Sequence, residues 1–410
     1  MESGPLRKSG QLAAVVLAAG DGTRMLSQIP KVIHSLYGKP LINHVLDAIR
    51  GAGIRRIIAV VGYRSDLVRD RLGKEVETVV QRSLKGTAHA VQQALPRLKN
   101  FRGDIVVLYG DTPLLTPQTV RGLIDAHRRA KAACTLLTAQ LQEPTGYGRI
   151  VRDQTGRIVR IVEDADATQA ERAIEEINVG SYCFNSKALS TALKHLKAAP
   201  NGEYYLTDTV SYLVKTGAPV ASVPTRSVGE FLGINTRADL ARVQTIMRSR
   251  ILEKFMLGGV TIVDPYTTYI DGSASIGQDT VVYPHTVIEQ GVRIGRRCQM
   301  GPFCRVGTGT VLADGVSVGN FVELANCRVG ANSRILHHSF ISDAEIGAGV
   351  FVGVGTVTVM SHNGVGPSRR SHRIRIGDHA RIEGGSLFLG PSLVKPGQVV
   401  KAGSTIRNPH

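Results

Sequence analysis

The chain has 410 residues, 42% apolar and 20% charged, a globular composition that excludes a disordered chain. Lys and Arg number 50 against 33 Asp and Glu, a net charge of +17 that first suggests nucleic acid. The charge is dispersed, with 14 basic and 10 acidic residues from Val260 onward and +13 over the rest, in no block of five and in no aromatic-interleaved stripe, so nucleic acid is not the expected partner.

In chain order, the tail at 1–11 (MESGPLRKSGQ) has no apolar signal core, and the apolar run at 13–19 is too short for a membrane span. A cytoplasmic protein without a membrane partner is expected. LAAVVLAA at 12–19 predicts a buried strand, followed by the turn Gly20-Asp21-Gly22-Thr23-Arg24. Leu41, Val45, Leu46 and Ile49 share one face of a helix expected at 40–49, and further strands are expected at 54–61 and 105–109. This alternation predicts an α/β domain with a mostly parallel sheet, whose ligands bind beyond the carboxyl ends of the strands. The Gly20 turn and Asp111 both fall there.

The Gly20 turn is neither a P-loop nor a G-x-G-x-x-G fingerprint, since Met25 stands where the third glycine would be. Its backbone N–H groups can still wrap a phosphate chain, with Arg24 and Lys31 as two fixed cations. A helix at 237–257, apolar along Leu240, Val243, Ile246, Met247 and Ile251, is expected to connect two domains. The expected division is a tail at 1–11, a nucleotide-binding domain at 12–237, a linker helix at 238–258 and a repeat domain at 259–410.

From residue 276 the chain has a period of six. Ile276, Val282, Ile288, Ile294, Met300, Val306, Leu312, Val318 and Leu324 recur, each with a small or β-branched residue two positions earlier, from Ala274 to Val322. Gly follows the apolar residue at 277, 295, 301, 307 and 319, where a turn with unusual backbone angles is expected. The phase slips by one at Val329 and again at Ile346, and resumes at Ile376 after a break at 359–373. A six-residue period is the signature of a parallel β-helix with three hexads per triangular coil. Of the five cysteines, Cys298, Cys304 and Cys327 take the small inward position and read as packing residues; with Cys134 and Cys183 they show no C-x-x-C spacing and point to no zinc site. The break is expected to protrude as a loop carrying His362 and the Arg cluster at 369–375, which reads first as a solvated loop, then as a phosphate contact and last as a nucleic-acid contact.

Leu17-Ala18-Ala19-Gly20-Asp21-Gly22-Thr23-Arg24-Met25 with Pro30-Lys31 resembles the signature of sugar-nucleotide pyrophosphorylases. Gln81 with Gly86-Thr87, Tyr109-Gly110-Asp111, Thr145-Gly146-Tyr147-Gly148-Arg149, Ile161-Val162-Glu163, Glu176-Ile177-Asn178, Gly202 to Asp208 and Asn235 follow in order. Together they resemble the N-acetylglucosamine-1-phosphate uridyltransferase half of the bacterial bifunctional uridyltransferase/acetyltransferase family. That resemblance implies a Rossmann-like nucleotidyltransferase domain followed by a left-handed parallel β-helix. It also implies conversion of UTP and a sugar 1-phosphate to pyrophosphate and UDP-N-acetylglucosamine, a peptidoglycan precursor. On it, Arg24, Lys31 and Asp111 are catalytic, and Asp111 with Asn235 holds Mg²⁺. Leu17, Ala18, Ala19, Gly20, Gln81, Gly86, Thr87, Tyr109 and Gly110 bind the nucleotide, with Gln81 offering uracil both a donor and an acceptor. Gly148, Glu163 and Asn178 form the sugar pocket. A pyrophosphorylase for another sugar, or a UDP-sugar-binding scaffold without turnover, are the alternatives.

The repeat half resembles the acetyltransferase half in Val318 to Glu323 and Asp343 to Gly347, and His337 falls at the family's base position. It departs at Gly307, Ala325-Asn326, Phe340 and Phe351, where the family has Arg, Lys, Tyr and Asn. It is also about a coil shorter and lacks the family's tail. The expectation is a homotrimer through the prism, with acetyltransferase activity lost or altered, His337 beside His338 a solvent-facing pair, and acetyl-CoA a ligand only if that activity is retained.

Overall fold

A computed structural model describes residues 11–225, 227–359 and 373–407. Contacts divide the chain into two compact units, 1–244 and 245–410.

In the first unit the expected strand is β1 (Gln11–Ala18), followed by α1 (Leu41–Gly51), β2 (Arg56–Val61), β3 (Val76–Val80), α2 (Thr87–Ala94), β4 (Gly103–Tyr109) and α3 (Pro117–Arg129). Then come β5 (Cys134–Gln140), the hairpin β6 (Arg149–Arg152) and β7 (Ile158–Val162), β8 (Glu176–Asn185), α4 (Ser186–His195), α5 (Asp208–Lys215), β9 (Val220–Pro224) and the start of α6 (Arg237–Leu257), whose residues from Thr245 on belong to the second unit. The sheet order is β9-β5-β8-β4-β1-β2-β3, parallel except at β8, which runs antiparallel to both neighbours.

Alternation along the strands builds two cores. Ala13, Val15, Leu17, Ile58, Val60, Ile105 and Val107 face α2, α4 and α5, whereas Ala14, Val16, Ala18, Ile57, Ala59, Val106 and Leu108 face α1 and α3. The apolar stripe of α1 is buried as its spacing requires. Because β2 and β4 flank β1 on opposite sides and all three are parallel, the crevice at their carboxyl ends is a topological switch point.

The second unit is a three-sided parallel β-helix. Among the described residues its strands form sheets of eight, eight and seven, the prism the period of six requires. The large and small inward residues form one core, with Val282, Met300, Leu324, Thr280, Cys298 and Cys327 at 0% exposure. Leu252 and Phe255 of α6 join that core; Ile251, on the expected apolar face of α6, is only partly buried against it.

The phase slips have a geometric origin. Val287 pairs with Arg305, 18 residues on, but Val311 pairs with Arg328 and Phe340 with Val357, 17 on. Each slip is one shortened side that leaves the inward ladder unbroken. Ala344 then pairs with Ile374, 30 on, so the break is an insertion on one corner. His362, Arg369 and Arg370 lie outside the described residues. Arg373 resumes the chain on Asn326 Oδ1 at 3.0 Å and on Glu345 at 3.9 Å, and Arg375 lies 3.6 Å from the same carboxylate.

The glycines that follow the inward aliphatics differ from expectation. Of the five, Gly301 alone has a positive φ; the left-handed corner residues fall two positions after the others, as at Asp279, Arg297 and Phe321. Gly277 is needed because a Cβ there would lie 2.7 Å from the Gly295 carbonyl carbon of the next coil. Close stacking, not backbone angle, sets most of these positions. At one corner His285, Phe303, Phe321 and His338, one per coil, stack with ring centroids 4.5, 5.1 and 5.0 Å apart.

Candidate functional site

The crevice at the carboxyl ends of β1, β3 and β4 opens into two lobes. The first, about 440 Å³, is lined by Leu17, Ala18, Ala19, Gly20, Lys31, Gln81, Gly86, Thr87, Tyr109, Asp111, Glu163 and Asn235, among others. The second, about 640 Å³, takes Arg24, Gly148 and Asn178 and shares Tyr109, Asp111, Glu163 and Asn235 with the first. Sixteen positions singled out from the sequence in this domain are thus brought together except Gly110. Gly110 instead donates its N–H to the Leu17 carbonyl at 2.9 Å and ties β4 to β1 at the base of the cleft.

Charge concentrates where the lobes meet. Lys31 Nζ lies 2.5 Å from Asp111 Oδ2 and 3.0 Å from Asn235 Oδ1, and Arg24 Nη2 donates to the same Asn235 oxygen at 3.1 Å. Gly22, at φ +67°, lets the turn pass over Lys31, since a Cβ there would lie 2.7 Å from Lys31 Cβ. Asn235 is held by a capping box that the sequence reading passed over. Asp239 Oδ2 accepts from the backbone N–H groups of Asn235 and Thr236 at 3.2 and 2.9 Å, while Thr236 Oγ1 accepts from Asp239 N at 3.1 Å. The signal was present as Thr236-Arg237-Ala238-Asp239 at the start of a helical pattern.

Asp111 and Asn235 therefore present two oxygens to one point, already held by an ammonium. That donor set suits a hard cation such as Mg²⁺, which takes oxygen ligands and few of them from protein. Among the described residues, no group of three or more His, Cys, Asp or Glu gathers for a metal, in this cleft or outside it.

The wall of the first lobe is a backbone clamp. Gly86 precedes α2 at φ +89°, ψ 176°, a conformation open to glycine almost alone. It packs on the segment at 204–206: Tyr204 N donates to Lys85 O, Ala88 N to Tyr204 O, and Leu206 N to Thr87 Oγ1, at 2.9, 2.9 and 3.0 Å. The Gly86 and Thr87 N–H groups, at the helix N-terminus, have no partner among the described residues and line the lobe. Gln81, 4% exposed, donates its Nε2 to Gly86 O at 3.1 Å and meets His89 Nδ1 at 2.9 Å. The amide thus offers the lobe its oxygen, and its NH₂ is not free for a base as expected.

The second lobe is shaped by β8 and the β6–β7 hairpin. The β8 register shifts between Asn178 and Tyr182, and Gly180 in this bulge, at φ +78°, leaves room for the Tyr109 ring, which a Cβ would overlap. Asn178 Nδ2 donates to Tyr182 Oη at 2.7 Å, and its backbone N–H to Gly148 O at 2.8 Å. Buried Arg149 donates to the Tyr147 carbonyl and to Asp164 Oδ1, whose other oxygen accepts from Gly146 N at 3.0 Å, so the turn at 145–148 is tied down. Glu163 accepts from Thr207 Oγ1 at 2.8 Å. Burial pushes its carboxyl above the usual carboxylate range, the Thr207 hydroxyl partly offsets this, and Asp208, Asp166 and Glu203 add to it. Burial likewise raises the Tyr109 phenol. Phe231, packed edge-on to Tyr147 at 6.0 Å, with Glu143 and Arg242, also lines this lobe; none of the three belongs to a motif singled out from the sequence.

In the prism, His337 is exposed on a corner, and Gly319 makes way for it, since a Cβ there would lie 2.8 Å from His337 Nδ1. Phe340 is partly exposed, and Phe351 lies beneath Arg381, 4.6 Å from guanidinium carbon to ring centre. His337 and His338 thus form the exposed pair expected, with His338 stacked on Phe321.

A switch-point crevice with converging cations, a Gly turn and a carboxylate defines a nucleotidyl transferase, and the nucleotidyl transferase family matches residues 13–231. The similarity extends through the prism. The chain is 41% identical to the bifunctional protein GlmU of Geobacillus thermodenitrificans over 96% of this chain and 92% of that protein. It is 42% identical to that of Geobacillus sp. strain WCH70 over the same shares, and 41% identical to that of Pelotomaculum thermopropionicum over 93% and 90%. The chain belongs to the GlmU family of bifunctional proteins. No described helix is long and apolar enough to cross a membrane.

Proposed function

We propose that the first unit transfers a uridylyl group from UTP to N-acetylglucosamine 1-phosphate, releasing pyrophosphate. The observation that carries this reading is the convergence of Arg24, Lys31, Asp111 and Asn235 between a base-sized lobe and a sugar-sized lobe. In-line attack of a phosphate on the α-phosphorus requires placement and charge neutralisation more than proton transfer.

Each residue then has a task. The Gly20 turn and Arg24 hold the departing β- and γ-phosphates, and Lys31 bridges the α-phosphate and the incoming phosphate. The Gly86 and Thr87 N–H groups and the Gln81 oxygen read the uracil edge. Gly148, Glu163 and Asn178 hold the sugar through its hydroxyl and acetamido groups. Asp111 and Asn235 would hold Mg²⁺, which supplies charge neutralisation at the phosphates when bound. Lys31 exchanges its Asp111 partner for phosphate oxygen as the nucleotide enters.

The test is pyrophosphate release by the full chain with UTP and Mg²⁺, comparing N-acetylglucosamine 1-phosphate with glucose 1-phosphate. A clear preference for the acetylated sugar supports the reading. Equal rates point to a broader pyrophosphorylase, and binding without turnover to a scaffold. Acetyl transfer by the prism is the second reading, favoured by the likeness to bifunctional relatives and by the exposed His337. Free CoA from acetyl-CoA and glucosamine 1-phosphate, abolished by His337→Ala, would establish it. The replacements at Gly307, Ala325, Phe340 and Phe351 remove cationic and polar acceptor contacts and weigh against it. A homotrimer through the prism is the proposed assembly, to be measured as the mass of the particle in solution.

A further inference from the structure

His89 belongs to no motif singled out from the sequence, yet it touches the residue that faces the base. It sits in the first turn of α2, half-buried, with Nδ1 2.9 Å from Gln81 Nε2. The two ends of an amide are distinguished by their partners. The Gly86 carbonyl, 3.1 Å from the same atom, can only accept, so that end of Gln81 is the NH₂. An NH₂ facing the ring requires an acceptor there, so Nδ1 is unprotonated and the ring proton sits on Nε2. Nε2 in turn faces the Gln93 side-chain nitrogen, 3.2 Å away and one helical turn on, an atom that also lies 3.2 Å from the His89 carbonyl. A neutral ring accepts on one side only, and the shorter contact, 2.9 Å to Gln81, takes that role, so the half-buried Gln93 must turn its amide oxygen to the Nε2–H. The two hydrogens of the Gln81 amide are therefore both engaged, one by Gly86 and one by His89. Its Oε1 meets no donor among the described residues and belongs to the lining of the first lobe.

We infer that His89 is a positioning residue for base selection: by holding the Gln81 NH₂, it presents the pyrimidine with an acceptor only. The inference rests on the reading of the first lobe as a uridine-nucleotide site. A 2,4-dioxopyrimidine carries a hydrogen on N3 and satisfies that oxygen. A 4-aminopyrimidine has a lone pair at N3, which would face the oxygen's own lone pairs in a nearly buried setting. Without the ring, Gly86 alone holds the amide by one hydrogen. The side chain can then turn its NH₂ to the base, and that face accepts cytosine.

The experiment measures kcat/KM for UTP and for CTP on the same preparation, so the fraction of folded enzyme cancels in the ratio. Three full-length chains are compared: wild type, His89→Leu and His89→Asn. Asn can place an acceptor oxygen close to the position of Nδ1. His89→Leu is expected to lower the UTP-to-CTP ratio by ~10-fold or more, and His89→Asn to restore it to within ~3-fold of wild type. A ratio unchanged in His89→Leu, whether both rates fall together or neither falls, overturns the inference, because a packing role alone would not discriminate between bases. So does a ratio lowered equally in His89→Asn. A wild-type chain that turns over neither nucleotide, or favours CTP, refutes instead the uridine-nucleotide reading itself.

Discussion

Gly86→Ala tests whether the base-reading wall is a rigid clamp. Two costs can be worked out separately. A side chain at φ +89°, ψ 176° lies in a region that only glycine occupies easily, at about 1–3 kcal/mol. The added Cβ would also lie 2.5 Å from Tyr204 O and 2.8 Å from Tyr204 N, backbone atoms that already hydrogen-bond Lys85 and Ala88. Overpacking of that kind costs about 1–3 kcal/mol. Gly146→Ala is the control: its φ is +84°, but nothing lies within 4 Å of the new Cβ, so it carries backbone strain of about 1–2 kcal/mol with no collision. At about 2–4 °C per kcal/mol for a domain of this size, the collision alone should lower the melting temperature of the nucleotidyl transferase domain by about 2–12 °C beyond the control. A shift of the Gly86 carbonyl and N–H groups should also reduce kcat/KM for UTP by ~100-fold, since misplacement by about 1 Å has effects of that order. Differential scanning fluorimetry and initial rates on both variants decide it. If Gly86→Ala melts with Gly146→Ala and uses UTP like wild type, the wall is not a rigid clamp.

Other outcomes follow from the same geometry. Arg24→Ala should lower turnover by ~100-fold or more without changing the melting temperature, read from initial rates beside a thermal melt, because its guanidinium meets the developing charge. Glu163 protonates at a higher pH than an ordinary carboxylate, because burial penalises its charge. On acidification its acceptor is therefore lost early, and kcat/KM for the sugar phosphate should fall at a pH above the usual carboxylate range. Glu163→Gln should flatten that limb relative to wild type while leaving KM for UTP unchanged; an identical limb in both proteins would reject the assignment. All five cysteines are buried and unpaired, with burial pushing Cys304 and Cys327 up to about 11. A thiol reagent at neutral pH should label less than about one site in the native chain and all five in denaturant.

The prism was legible because a hexad writes its core residue by residue: the inward aliphatics and their small companions are where the period placed them. The reason for the glycines was not legible. A period shows which positions repeat but not what lies above them in the next coil, and Gly277 answers to Gly295 rather than to its own φ. In the first unit, strand ends gave the cleft, since residues following apolar runs collect at the carboxyl edge of a parallel sheet. Side-chain partners were harder to read. Gln81 offers a donor and an acceptor in isolation, but Gly86 and His89 take the donor. The role of the segment at 204–206 rests on backbone contacts across more than a hundred residues, which no local pattern encodes.

The most direct measurement is a phosphorus NMR time course of the full chain with UTP, N-acetylglucosamine 1-phosphate and Mg²⁺. Uridylyl transfer predicts that the sugar-phosphate signal is replaced by the two resonances of a pyrophosphate diester, with free pyrophosphate appearing in equal amount. Decay of UTP to inorganic phosphate with the sugar phosphate untouched, or no change in any signal, would contradict it.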